Sequence, residues 1–173
     1  MIVLFNKIIS FLKTFDGFLE RIEKFILISI LSFVIGLSFL QVILRNFFGS
    51  GFIWGDVFLR QMVLWIGLIG ASIATKENRH INIDIVSRII FSKAKFVINI
   101  FVNIISAYVC LLLLKASFRF VASEKSFGTA VFENFPVWIF QTIFVITFCL
   151  MTFRFALNIL DNIKSLLTKE KLN

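Results

Sequence analysis

Proline occurs once in 173 residues, glycine eight times, cysteine twice and histidine once. So little Pro and Gly leaves no stretch composed like a linker. No low-complexity segment or internal repeat is visible either, and the chain reads as one domain over residues 1–173. Cys110 and Cys149 both fall inside apolar runs without CxxC or Cys/His spacing, so they read as two buried free thiols. His80 has no second His and no Cys within reach, which argues against a metal site. Acids are also scarce: ten Asp and Glu stand against eighteen Lys and Arg, a net charge of +8. The cations cluster at the ends of apolar runs rather than along a phosphate-binding face, and no RNA- or DNA-binding pattern appears. Neither a nucleic-acid partner nor a cofactor is expected.

What the chain has is apolar surface. It is 59% hydrophobic with 24 Phe and a mean hydropathy of +0.96, whereas soluble domains run to about 45–50% apolar residues. That is too much to hide in one core, so the membrane is the expected solvent. Four runs are long enough to cross a hydrocarbon core of about 30 Å as helices: 25–44, 57–75, 96–114 and 134–153. Lys24 and Arg45 bracket the first, Lys95 and Lys115 the third, and Arg154 stops the fourth. Pro136 is tolerated at the start of the fourth because a first helical turn needs no N–H partner. Helices are expected because lipid offers backbone groups no partner outside their own segment, and the short alternating strands of a barrel are not seen.

The N-terminal segment, the second connection and the tail 154–173 carry thirteen Lys and Arg, against five on the other side. By the positive-inside rule both termini face the cytoplasm. Residues 1–24 lack a signal-peptide pattern. Leu4, Ile8, Phe11, Phe15, Phe18 and Ile22 recur at helical spacing, with charges on other faces. This predicts an amphipathic helix lying along the inner membrane surface. The expected fold is thus an all-α membrane protein with four transmembrane helices, an N-terminal amphipathic interfacial helix and both termini cytoplasmic.

The spans have no Asp, Glu, Lys or His in their middles, which makes a proton relay or an ion-coupled site within this chain alone a poor reading. They are furnished instead for packing. Ser32 and Gly36, Gly67 and Ala71, and Gly70 and Ala74 are each four apart, a spacing that lets helix backbones approach. Asn99, Asn103 and Ser106 form a polar stripe on the third span, and Gln41 and Gln141 sit in apolar surroundings where an amide wants a partner. These features serve packing within the chain or a seam with a second subunit.

Two stretches carry more. In WGDVFLRQMVLW, Asp56 and Arg60 are four apart in the order that favours a helical ion pair; Trp54 reads as an interfacial anchor, and Trp65 is deep enough to pack against a helix. In NRHINIDIVSRI, Asp84 follows His80 by one helical turn, so the two can hydrogen-bond and fix a connection. No nucleophile in a recognisable setting accompanies them. Ile81, Ile85 and Ile89 share a helical face, which fits an interfacial helix.

Taken in order, an apolar span ending in Arg45, then Trp54, Asp56 and Arg60, then Trp65, Gly70-Ala71 and His80-Ile81-x-Ile83-Asp84 resemble the small membrane subunit of tripartite ATP-independent periplasmic (TRAP) transporters. Two positions depart from that family's pattern: Val57 stands where a second acid is common, and Ile83 where Val is usual. The resemblance implies a partner, a large multi-span membrane subunit that carries the substrate and sodium sites and moves as an elevator. It also implies a periplasmic binding protein that delivers an organic acid, and uptake driven by sodium rather than ATP. This chain would be the non-catalytic scaffold, with Arg45, Trp54, Asp56, Arg60, Trp65, Gly70, His80 and Asp84 orienting helices or contacting the large subunit, and membrane lipid as its surroundings in a bacterial inner membrane. The rivals are a self-assembling four-helix channel or small exporter, and a membrane enzyme using His80 and Asp84.

Overall fold

The computed structural model describes the backbone of residues 2–49, 51–52, 54–87, 92–128, 130–132 and 135–170, and the side chains of 7, 9–49, 51–52, 54–76, 98–128, 130 and 135–164. Four long helices dominate: α1 (Ile2–Phe48), α2 (Gly55–Ser87), α3 (Ser92–Phe127) and α4 (Val137–Glu170). Each contains a segment long and apolar enough to cross a membrane: Ile9–Phe48, Gly55–Lys76, Ile98–Phe127 and Val137–Lys164.

The helices outrun the apolar runs. With 47 residues α1 is about 70 Å long, more than twice the hydrocarbon thickness of about 30 Å. No break separates an interfacial helix over 1–24 from a span at 25–44, because no Pro or Gly pair interrupts the segment and Gly17 is tolerated in helix. α3 continues through Lys115 to Phe127. Arg119 and Lys125 do not stop it, since long cationic side chains reach water from an exposed helix face. Gly49 and Gly128, both at φ 64°, follow α1 and α3 directly; this left-handed conformation is the usual helix stop and favours glycine. Pro136 is not inside the last helix. It ends strand β2 (Phe135–Pro136), which pairs antiparallel with β1 (Ala130–Phe132) in a short hairpin ahead of α4.

α2 and α4 form the centre. α1 packs on both, and α3 packs chiefly along α4. The core is small: Ile69 and Ile73 of α2 meet Ile143 of α4, with Leu27, Ile30, Trp65, Leu68 and Phe144 around them. Ile9, Val34, Met62 and Leu157 are buried apart from it, but many large apolar side chains face outward, including Phe25, Phe33 and Phe39 of α1 and Phe101, Leu111 and Phe118 of α3. In lipid such exposure carries no hydrophobic penalty, so these faces need no cover from this chain.

Several small polar features differ from expectation. Gly36 and Gly67 have open space where a Cβ would stand, and Gly70 meets only the end of Leu27 at 3.9 Å. The small-residue pairs therefore do not mediate close helix packing inside this chain. Cys110 is buried but Cys149 is exposed on the outer side of α4. Asn103 donates to the Asn99 carbonyl one turn back at 2.7 Å, a bond within its own helix. Gln141 Oε1 is buried with no hydrogen-bond partner among the described residues.

Candidate functional site

The strongest polar arrangement lies at the end of the bundle where the N-terminal half of α1 meets the C-terminal parts of α2 and α4. Arg154 of α4 is 2% exposed. Its Nε donates to Asp16 Oδ1 at 2.9 Å, its Nη2 to Glu23 Oε2, and its Nη1 to the Ser72 carbonyl at 2.5 Å and the Ser72 hydroxyl at 2.7 Å. Ser72 in turn donates to the other oxygen of Glu23 at 2.7 Å. One planar guanidinium thus joins three helices, the bidentate geometry that suits Arg to buried pairing.

A second layer sits beside it. Lys76 of α2 reaches Glu20 at 2.6 Å and Asp16 at 3.2 Å, and also donates to the Asp16 carbonyl at 3.1 Å. Lys24 closes the set on Glu20 at 2.7 Å. Three carboxylates face three cations, so the cluster is neutral as a unit. That neutrality matters at a membrane edge, where a lone buried ion costs several kcal/mol. Along α2 and α4 the level of Ser72 and Arg154 is about 26 Å from each helix start, roughly one hydrocarbon thickness. The cluster therefore lies about one hydrocarbon thickness from the opposite end of α2 and α4.

The opposite end is held more lightly. Arg45, in the last turn of α1, pairs with Asp56 in the first turn of α2. Each charge complements the dipole of its own helix end. Asp56 does not pair with Arg60: the turn brings Arg45 to the carboxylate, and Arg60 is exposed. Beneath the pair, buried Gln41 donates to the Phe52 carbonyl at 3.1 Å, and the Gly55 amide donates to the same oxygen at 3.0 Å. A Cβ at Gly55 would stand 2.6 Å from Gln41 Nε2, so glycine permits this contact.

Trp54 is half exposed, with its ring 5.3 Å from Phe52 and 6.2 Å from Phe58. Deeper in, the Trp65 indole donates to the Phe140 carbonyl of α4 at 2.9 Å, so a polar handle inside an apolar layer has its partner. Gly70 sits beside Leu27 in the central packing. His80 and Asp84 lie on the helical backbone of α2, but their side chains, and any bond between them, are outside the described residues.

Asp16, Glu20, Glu23, Ser72, Lys76 and Arg154 were not singled out by the sequence. A signal exists: Asp16, Glu20 and Glu23 stand at i, i+4 and i+7, and Ser72 and Lys76 are four apart. The three acids on one stripe face inward, while Phe11, Phe15 and Phe18 face outward.

The sequence profile of the DctQ component of tripartite ATP-independent periplasmic transporters matches residues 34–165. The chain belongs to this family. It is therefore a transporter component rather than an enzyme, a TRAP small permease that passes several times through the inner membrane. The sialic acid TRAP transporter permease protein SiaT of Haemophilus influenzae is 26% identical over 149 residues, 80% of this chain and 22% of that protein. The C4-dicarboxylate TRAP transporter small permease protein DctQ of Vibrio cholerae is 31% identical over 83 residues, 46% of this chain and 34% of that protein. The chain thus spans well under two thirds of these relatives. Ser72, Lys76 and Arg154 lie within the family match, and Asp16, Glu20 and Glu23 precede it.

Proposed function

We propose that this TRAP small permease is the non-catalytic scaffold of a sodium-coupled importer, built with a large membrane subunit and a periplasmic protein that delivers an organic acid. The observation that carries the reading is the family match over 34–165, on a bundle whose buried charge cluster is neutralised from within. Every acid in that cluster is engaged by a cation, which suits a fixed joint better than a site that takes up and releases ions. The outward-facing Gly36 and Gly67 support association with helices of another subunit.

The substrate class follows the relatives: a sialic acid or a C4-dicarboxylate, both organic acids. The distribution of Lys and Arg supports cytoplasmic termini. The Arg154 cluster then lies at the inner surface, and the Arg45–Asp56 turn and the β1–β2 hairpin lie at the outer one, where a binding protein approaches. Arg45, Trp54, Asp56, Arg60, Trp65 and Gly70 orient the helices or meet the large subunit, and His80 with Asp84 shapes the inner connection of a single four-helix domain.

Deleting this chain from its host and following labelled sialic acid and C4-dicarboxylates, with and without a sodium gradient, tests the reading. Sodium-dependent uptake of one of them should disappear and return on complementation. Unchanged uptake of both would contradict it.

A further inference from the structure

Because α3 runs on past Lys115 to Phe127, Lys115 and Arg119 stand inside the apolar segment Ile98–Phe127 rather than at its end. Both are exposed, and among the described residues neither forms an ion pair or a hydrogen bond. We propose that they mark the seam with a second membrane chain, one that presents carboxylates to this face of α3.

At 3.6 residues per turn, Tyr108, Lys115 and Arg119 fall within about 40° of one another around α3, and all three are exposed. Cys110 and Ser117, both buried, lie on the opposite side, where α3 packs along α4. The two cations therefore point away from the bundle. Their level is nonetheless that of its interior. The Phe120 ring stands 6.1 Å from Phe144, and Phe144 packs against the central cluster of Ile69, Ile73 and Ile143.

A lone chain can keep such cations wet by drawing water to the face. Inside a membrane that is costly, and ionisable groups at span depth meet a partner or a water-filled cavity. A lipid phosphate is a poor partner here. Phe127, the nearer end of the segment, is about 12 Å along α3 from Arg119 and about 18 Å from Lys115. Side chains on a helix lean toward its N-terminus, away from that end, and a lysine side chain is only about 6 Å long. A second copy of this chain docked through the same face would oppose like charges. An acid-bearing span of a different chain meets both requirements, charge and depth. The large subunit of the importer is that chain, so the inference rests on the importer reading.

Site-specific photocrosslinking in the native host tests it, with p-benzoylphenylalanine placed at Leu112 or Ala122 on this face, at Phe39 of α1 or at Leu64 of α2. All four positions are exposed. Leu112 and Ala122 should yield adducts with one large polytopic membrane protein, on a span that contains Asp or Glu. Lys115→Gln combined with Arg119→Gln should lower that yield about tenfold or more, as truncating one side of a buried charge pair does. An amide in place of the partner's acid should do the same. The melting of the isolated chain should not change, since neither side chain holds the bundle together. Protein adducts at Phe39 or Leu64 with none at Leu112 and Ala122 would overturn the inference and leave the importer reading standing. An undiminished double variant, or an adduct span without acids, would also overturn it. No protein adduct at any of the four positions would overturn both.

Discussion

Replacing Arg154 with alanine should destabilise the bundle more than any other single truncation at its polar contacts. The substitution removes four hydrogen bonds at once. The larger effect is on what remains. Glu23, 8% exposed, keeps only the Ser72 hydroxyl. Asp16, 2% exposed, keeps Lys76 at 3.2 Å. Breaking a buried ion pair from one side costs about 3–5 kcal/mol, and the partner retained by Asp16 places Arg154→Ala near the lower end. For a chain of this size about 3 kcal/mol corresponds to roughly 10 °C in melting temperature. The assay is loss of helical circular dichroism on heating in one fixed detergent. Adding Glu23→Gln to Arg154→Ala should recover part of the loss, because a neutral amide tolerates burial beside Ser72 better than an unpaired carboxylate. The same change in the parent should cost about 1–2 kcal/mol. An Arg154→Ala chain that melts with the parent would refute the reasoning, and so would strictly additive losses in the double variant.

Trp65→Phe keeps most of the ring volume but deletes the bond to the Phe140 carbonyl, and should cost about 1 kcal/mol; Trp65→Ala should cost about 3 kcal/mol or more, and equal losses in the two variants would mean that the hydrogen bond, not packing, dominates. Gly55→Ala forces the Gln41 amide away from the Phe52 carbonyl and should lower stability by about 1–2 kcal/mol, with Gln41→Ala relieving the clash in the double variant's melt. Asp56→Asn should change stability by less than about 1 kcal/mol, since its pair with Arg45 is half exposed on both sides; a loss of several kcal/mol would place that pair in a drier setting than the structure gives it.

The helices were legible because their cause is local: apolar runs of spanning length, bracketed by charges, in a solvent that leaves the backbone no other partner. Their ends were less so. Nothing in LLLLKASFRF announces that α3 continues past Lys115, because a cation on an exposed helix face stops nothing. The N-terminal helix shows how far periodicity reaches. Its apolar and charged stripes are real, but which stripe meets the bundle depends on what α2 and α4 offer, and they offer Lys76 and Arg154. Arg154 pairs with residues 131 and 138 positions away, a separation no local rule reaches. Asp56 fails for a related reason. The i,i+4 rule favours Arg60, yet a short turn delivers Arg45 from the preceding helix. The ordered set from Arg45 to Asp84 was enough to point to the family without any of these contacts.

Association of this chain with a larger permease subunit is the proposal on which its functional reading depends. It is tested most directly by purifying the tagged chain from its native host in mild detergent and identifying every co-eluting protein by mass spectrometry. One large polytopic membrane protein in near-equal amount is the expected companion. A chain that elutes as a defined homo-oligomer, with no such companion, would contradict it and favour a self-assembled channel.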